Sequence, residues 1–359
     1  MRAAAQHAPA AYLASRTSTR ELCAQIDPSF QWEATGEESW LQASLQAHNA
    51  KVEVNHRISE EQCGTGSTPL SQKKMSSQVE AFSFRALFED SPTPDKARLL
   101  AVSAPHASGW LQARPAEGLD QRWTHAEFVS GLQVWLGTQV QSTDTWCPMC
   151  DQILDARGHH CMTCMAGGHA DQCHSSLRDY VYSVAFAAGL SPEKEESGLL
   201  PDNPRRRPGD LYFALWPWGG RAALDFAVTS PLQLTQLGPA ARGQLSAAMA
   251  YEAHKLGDRD TAARCAAMGI TLYPVVAESF AGWGPTAQAV FKVIAGASAA
   301  RSGLSIGVVT SQFYEGLSTR IMRANARSLL ARVGQDVEGS GGLVASHGRA
   351  MVILGAGGA

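Results

Sequence analysis

Four cysteines and two histidines occupy eighteen positions in CPMCDQILDARGHHCMTC, residues 147–164. Residues of these types either hold a metal or pair as disulfides. Zinc takes four nitrogen or sulfur ligands at tetrahedral corners, and two cysteines separated by two residues wrap one side of the ion. Cys147 and Cys150 form such a pair, and His160 with Cys164 returns from a loop as the second, giving C-x2-C-x9-H-x3-C. Gly158, just ahead of His160, lets the chain reverse there. His159, Cys161, His169, Cys173 and His174 are near enough to compete, so the second pair could shift by one residue. The competing reading is a set of buried free cysteines with incidental histidines; the paired spacing favours Zn²⁺. Four good ligands leave no open position for water, so the expected ion is structural, folding a short loop that has little core of its own.

A second chemical pattern lies in RRRPGDLYFALWPWGGRAALDFAV, residues 205–228. GDLYFALW and RAALDFAVTS read as strands joined by a tight turn at PWGG. Asp210 and Asp225 are fifteen positions apart, and their midpoint falls on Pro217–Trp218, inside the turn. An antiparallel hairpin closing there makes them near-opposite neighbours on one face, with Cβ atoms ~5 Å apart. Two carboxylates at that distance repel unless something positive lies between them. Mg²⁺ suits such a pair, because it takes one or two carboxylates together with waters and phosphate oxygens. The alternative is that one aspartate caps a turn and the other sits at a strand end in water.

Lys255 follows on the next helix, where a lysine beside Mg²⁺ would stabilise charge building on a phosphate under attack or orient the attacking water. Its bland alternative is an i,i+3 pair with Glu252. Arginines gather at Arg205, Arg206 and Arg207, and again at Arg320, Arg323 and Arg327, which share one helical face. Their planar forks suit phosphate oxygens, and a solvated helix face is the competing reading.

The elements that must position these groups follow from periodicity. Residues 1–77 read as a largely flexible region holding one short helix around 39–53, with a polar linker at 60–78. The arginine-containing, acid-free first twenty residues leave a transit peptide open, though a frayed alanine-rich start fits them better. Residues 78–145 read as helical, with Thr124 and Glu127 as a capping box and Gly137 as a stop. The knuckle occupies 146–174, and a helix over 173–189 comes next. The two strands lead to a helix near 242–258, a strand at 270–280, and helical sequence over 286–332 broken near Ser302–Gly303. This order predicts a small α/β (α+β) domain with a mixed sheet at 175–299, a basic helix at 300–335 and a Gly-rich tail at 336–359.

Composition sets outer limits. The chain is 45% apolar and 18% charged, the balance of an ordinary globular protein, and no apolar run reaches the ~18 residues of a membrane span. A net charge of −3 gives no general attraction to nucleic acid, so any such surface must be local. Five of the eight cysteines fall between 147 and 173, unlike a secreted disulfide scaffold, so the expected setting is intracellular, nuclear or cytoplasmic.

In series, these motifs resemble the C-terminal portion of site-specific non-LTR retrotransposon polyproteins, where a zinc knuckle precedes a restriction-enzyme-like endonuclease. The stretches that carry the resemblance include DKARLLAVSAPHASGWLQARP, CPMC…GHHCMTC, GGHADQCHSSLRD, RRRPGDLYFALW, ALDFAVTSPL, GITLYPVVAESFAGWG and RANARSLL. They run in family order over roughly residues 40–335. The resemblance implies a PD-(D/E)xK restriction-endonuclease-like core, with Asp210 after the RPGD turn, Asp225 on the next strand and Glu195 as an upstream acid. The lysine expected two residues after the second acid is replaced by Ala227, which leaves Lys255 as the family's displaced lysine. Of the Arg-His pair after the knuckle, Cys173 stands for the arginine and His174 is kept as a nucleic-acid-facing residue. The paired aspartates of a polymerase are absent, so reverse transcription is not expected.

Two functions follow. The first is a Mg²⁺-dependent DNA-nicking endonuclease acting on a target duplex, with RNA as a further partner and no membrane or small-molecule cofactor. The second is a catalytically inactive, zinc-stabilised nucleic-acid-binding remnant.

Overall fold

The computed structural model describes residues 2–29, 38–64 and 68–333, so the expected tail at 336–359 lies outside the described residues. The chain divides into two units, Met1–Ser91 and Pro92–Ala359.

The first unit is helical and corrects the expectation of a flexible start. Its alanine-rich sequence forms α1 (Arg2–Ile26), followed by α2 (Glu38–Asn49) and α3 (Gln72–Asp90). Alanine loses no side-chain freedom in a helix, so the segment needs little apolar contrast to be helical. Ala10 and Leu13 of α1 pack with Leu41 and Leu45 of α2, Met75 of α3, and the intervening Ile58 and Cys63. Ser71 caps α3 by accepting from the Lys74 N–H at 3.4 Å. The boundary expected at 77 therefore falls inside a helix of the first unit.

The second unit opens with α4 (Thr93–Val102) and α5 (His125–Leu136). The Thr124–Glu127 capping box is present in both directions, at 3.2 and 2.9 Å, and Gly137 ends α5 in the left-handed region. A two-stranded hairpin, β1 (Thr145–Trp146) with β2 (Ile153–Leu154), leads to α6 (His169–Ala187). The main sheet then forms from β3 (Glu193–Lys194), β4 (Leu211–Phe213) and β5 (Arg221–Thr229). Three helices follow, α7 (Leu234–Ala240), α8 (Ser246–Gly257) and α9 (Thr261–Ala267). They are succeeded by β6 (Ile270–Glu278), α10 (Pro285–Ser302) and α11 (Ile306–Val333), with Gly303 left-handed at the break. Among the described residues no helix is long and apolar enough to cross a membrane.

The sheet is mixed, in the order β3-β4-β5-β6: the first three strands are antiparallel and β6 runs parallel to β5. Side chains alternate across it. Leu211, Phe213, Leu224 and Phe226 face a core built with Leu177 and Val181 of α6, Phe291 and Ile294 of α10, and Leu317 and Ile321 of α11. Tyr212 and Ala223 face the other way, onto Leu200, Cys265 and Ile270. The β4–β5 register pairs Leu211 with Leu224 and Tyr212 with Ala223. The ladder ends at Leu211–Leu224, and just before it the Asp210 N–H donates to the Leu224 carbonyl, which brings Asp210 beside the Leu224–Asp225 step, where both aspartates line one cavity.

Gly209 makes that pairing possible. A Cβ at Gly209 would lie 2.7 Å from the Leu224 carbonyl oxygen, and the Asp210 N–H donates to that same oxygen at 2.7 Å. Gly209→Ala forces the two strands apart next to Asp210. A destabilisation of about 1–3 kcal/mol is expected from such overpacking, read as a lower urea midpoint with zinc content unchanged.

Candidate functional site

The knuckle is built from the turn of the β1–β2 hairpin, which carries Cys147 and Cys150, and a short 3-10 turn at His159–Met162 that leads to Cys164. Gly158, at φ +72°, turns the chain into that segment. The Asp155 carboxylate then holds it, accepting from the N–H groups of Arg157, His159 and His160 at 3.1, 3.1 and 2.8 Å. One ligand atom from each of Cys147, Cys150, His160 and Cys164 lies within 4.8 Å of all the others. Cys150 Sγ is 3.3 Å from His160 Nε2 and 3.6 Å from Cys164 Sγ. This Cys3His set could hold a zinc ion, and it is the combination expected from the spacing.

The protonation chemistry of the set suits a cation. Burial opposes ionisation of Cys147, but hydrogen bonds from the Met149 N–H, His160 and the Cys150 N–H bring its thiol down to about 6. Burial, then the neighbouring Cys164 and Cys147 thiols, raise Cys150. Three sulfurs crowded together oppose one another's ionisation unless positive charge lies among them. Of the competing residues, Cys161 is buried and pushed up to about 12 by that burial. Its carbonyl instead accepts from Ser328 Oγ of α11 at 2.7 Å. Leu329 packs against Cys147, Leu154, Cys161 and Cys164, and Arg332 donates to the Ala166 carbonyl at 2.8 Å. Replacing Cys164 with Ser removes a ligand from a closed site; zinc measured by atomic absorption should fall from one equivalent per chain to well below half.

The second site is a cavity of about 390 Å³ lined by Glu195, Arg206, Arg207, Asp210, Asp225, Tyr251, His254, Lys255 and Thr261, among others. The structure thus brings both aspartates, Glu195 and Lys255 to one opening. Lys255 Nζ donates to Asp225 Oδ1 at 2.7 Å. Its sequence neighbour Glu252 is engaged elsewhere, accepting from Thr286 N and Oγ1 at 3.2 and 3.0 Å where α10 begins. Burial raises Asp225 above the usual carboxylate range; Lys255 opposes the shift and the Asp210 charge adds to it. Asp210 Oδ2 accepts from the Phe226 N–H at 2.7 Å and lies 3.2 Å from His174 Nε2. That hydrogen bond is the main cause of the raised pKa of His174. His174, expected to face nucleic acid, is therefore turned to a carboxylate. Glu195 joins through its backbone, its N–H donating to the Asp210 carbonyl at 3.0 Å, while its carboxylate is held by Arg178 and Arg207.

The arginines divide. Arg205 is exposed, whereas Arg206 donates to Thr261 Oγ1 and Arg207 pairs with Glu195 at the cavity wall. Of the three α11 arginines expected to meet nucleic acid, Arg320 and Arg323 do not lie on a solvated face, whereas Arg327 is exposed. The Arg320 and Arg323 side chains are only 10% and 6% exposed, because α11 packs as an interior helix. Arg320 lies 4.0 Å over the Tyr180 ring, Arg323 pairs with Asp120, and Arg327 donates to Glu127 at 2.6 Å.

Sequence reasoning overlooked Arg178, Tyr251, His254 and Thr261. The first lies one turn beyond His174, and Tyr251, His254 and Lys255 have the i, i+3, i+4 spacing of one helix face. That periodicity was the available signal.

The helix carrying Lys255 depends on another buried acid. Glu278, at the end of β6, accepts from the Ala247 and Ala248 N–H groups of α8 at 3.1 and 3.4 Å. Burial, against those two bonds, raises it from the ordinary 4.5 to about 7. A raised carboxyl contributes stability that is fully present below the unfolded pKa and lost as pH rises through the folded one, here between about 4.5 and about 7. Glu278→Gln should therefore gain on the order of 2–3 kcal/mol relative to wild type between pH 5 and 8, checked by urea unfolding across that range.

Compared with known proteins, the chain matches no family model and no curated sequence.

Proposed function

We propose that the chain is a metal-dependent DNA endonuclease module, related to the knuckle-and-nuclease region of site-specific non-LTR retrotransposon polyproteins. The observation that carries this reading is the convergence of Asp210 and Asp225 on one polar cavity with Lys255 bonded to Asp225. The run from α6 through β3, β4 and β5, then α8 and a parallel β6, supports a PD-(D/E)xK-type core around that pair.

The residues fit a divalent cation. Asp225 stays raised by burial and by the Asp210 charge even with Lys255 bonded to it, so a further cation would favour its ionised form, and Mg²⁺ is at home with two carboxylates plus water and phosphate oxygens. Asp210 and Asp225 would hold it; when bound, it supplies Lewis-acid polarisation of the scissile phosphate and a more acidic water. The chain's own groups do the rest. The Phe226 N–H and His174 fix the Asp210 carboxylate, so that it needs no reorganisation when substrate arrives. Lys255 stands beside Asp225, where it offsets negative charge developing on the phosphate. Arg206 and Arg207 line the same wall and suit the flanking backbone phosphates. The zinc-stabilised knuckle and Arg205 would add to the DNA surface.

One observation favours the inactive binding module instead: Glu195 is already neutralised by two guanidinium groups, and Asp225 by Lys255. A nicking assay on supercoiled plasmid, with and without Mg²⁺, separates the two. Mg²⁺-dependent relaxation that drops at least ~100-fold in Asp225→Ala, with zinc content and folding intact, is the expected result. Plasmid binding without cleavage in any divalent metal would leave only the module.

A further inference from the structure

The seam between α6 and α11 changes character along its length. Over Leu177 and Val181 against Phe313, Leu317 and Ile321 it is apolar and closed. Toward the start of α6 it becomes a polar crevice of about 40 Å³, lined by His169, Gln172, Cys173 and Ser176 on one side and Arg320, Arg323, Ala324 and Arg327 on the other. Each set has the i, i+3, i+4, i+7 spacing of one helix face. Polar residues thus line both walls of a gap, in a place where well-packed helices normally bury apolar side chains.

Charge in this crevice is unbalanced. Three arginines line it, and two carboxylates answer them: Asp120, paired with Arg323 and 3.9 Å from Arg320, and Glu127, paired with Arg327; Arg320 also donates to the Gly316 carbonyl at 3.0 Å and Arg323 to the Arg122 carbonyl at 3.3 Å. Arg332 adds positive charge beside His169. The N-terminus of α6, a helix of 19 residues, opens here with Gly168 as its cap residue, so no side chain caps its first turn. Asp171 lies in that first turn but is exposed and does not line the crevice. Taking arginine charges out of water without a counter-charge is costly, and each planar fork has donors to spare. A single water needs roughly 10–15 Å³ of such space, so the opening is the size of a small tetrahedral anion rather than of a nucleoside.

We propose that this crevice binds one phosphate group, with Arg320, Arg323 and Arg327 as its cationic wall and Gln172 and Ser176 as neutral donors opposite. The inference does not rest on the nuclease reading: it uses no residue of the acidic cavity. The group is either a phosphodiester of a nucleic-acid backbone or free inorganic phosphate, and both have the same recognition chemistry.

The test is thermal unfolding and calorimetry of the full chain in Mg²⁺-free, chelator-free buffer, so that zinc is retained. Inorganic phosphate is titrated against KCl at matched ionic strength. A saturable rise in Tm of ~3 °C at ten times Kd is expected, absent with KCl. Gln172→Glu puts a carboxylate into the opening; it should raise the unliganded Tm and weaken phosphate at least ~10-fold. Arg327, whose side chain is 53% exposed, gives a second variant that spares the interior; Arg327→Gln should weaken binding ~5-fold or more. No saturable response in wild type overturns the proposal, as does unchanged affinity in a folded Gln172→Glu; if that variant does not fold, unchanged affinity in Arg327→Gln does the same. A short oligonucleotide lacking terminal phosphates is run in parallel. A response from it that Gln172→Glu weakens assigns the site to backbone phosphate, and a response from inorganic phosphate alone assigns it to the free anion. Nicking in the Asp225 series is scored separately, so failure of one reading leaves the other standing.

Discussion

The antiparallel pairing of β4 with β5 is the constraint on which the rest of the second unit depends. Its register, Leu211 to Leu224, decides at a stroke which side chains enter the large core and which reach the cavity. A slip of β5 by one residue would send Leu224 and Phe226 to the polar side and Asp225 into the apolar one, a rearrangement no local adjustment could absorb. Two things hold the register. The apolar set of β5 fits only against α6, α10 and α11, and Gly209 lets the chain before β4 lie directly on the Leu224 carbonyl.

Once the sheet is set, buried charge organises its surroundings. Each interior acid has a different answer to desolvation. Glu252 and Glu278 accept from the first turns of α10 and α8, where unsatisfied N–H groups and the helix dipole favour a carboxylate. Asp225 is answered by Lys255, and Asp210 by a backbone N–H and an imidazole. The arrangement is linked: because Glu252 is drawn to α10, the lysine one turn on is left for Asp225. The acids that tie the helices together and the acids that face the cavity are therefore parts of one electrostatic scheme.

Helix α11 couples the knuckle to this scheme. Its middle packs on the sheet core through Leu317 and Ile321, and its last turns grip the cysteine loop through Ser328, Leu329 and Arg332. A cysteine-rich loop with almost no core of its own is thereby docked on a rigid element that also reaches the sheet. The same central position explains why Arg320, Arg323 and Arg332 of α11 are interior, which their sequence spacing could not reveal. Periodicity says which residues share a face but not whether that face meets water or another helix.

Much of the site was legible because its determinants are local. The C-x2-C-x9-H-x3-C spacing, the Thr124 capping box, the left-handed stops at Gly137 and Gly303, and the approach of Asp210 and Asp225 to one cavity all follow from short-range geometry. The helical first unit was not legible: its helix is written in alanine, which carries helix propensity but almost no amphipathic contrast. The partner of Lys255, the role of Glu252, the two arginines that claim Glu195 and the burial of Arg320 and Arg323 were equally out of reach. The sequence by itself marked out the cysteine-rich loop and the ribbon that brings two acids near one another, since turns and strand pairing are set within a few residues. Only the tertiary structure decided which charges neutralise which, because pairing depends on distances between segments tens of residues apart and on how much water the packing leaves between them.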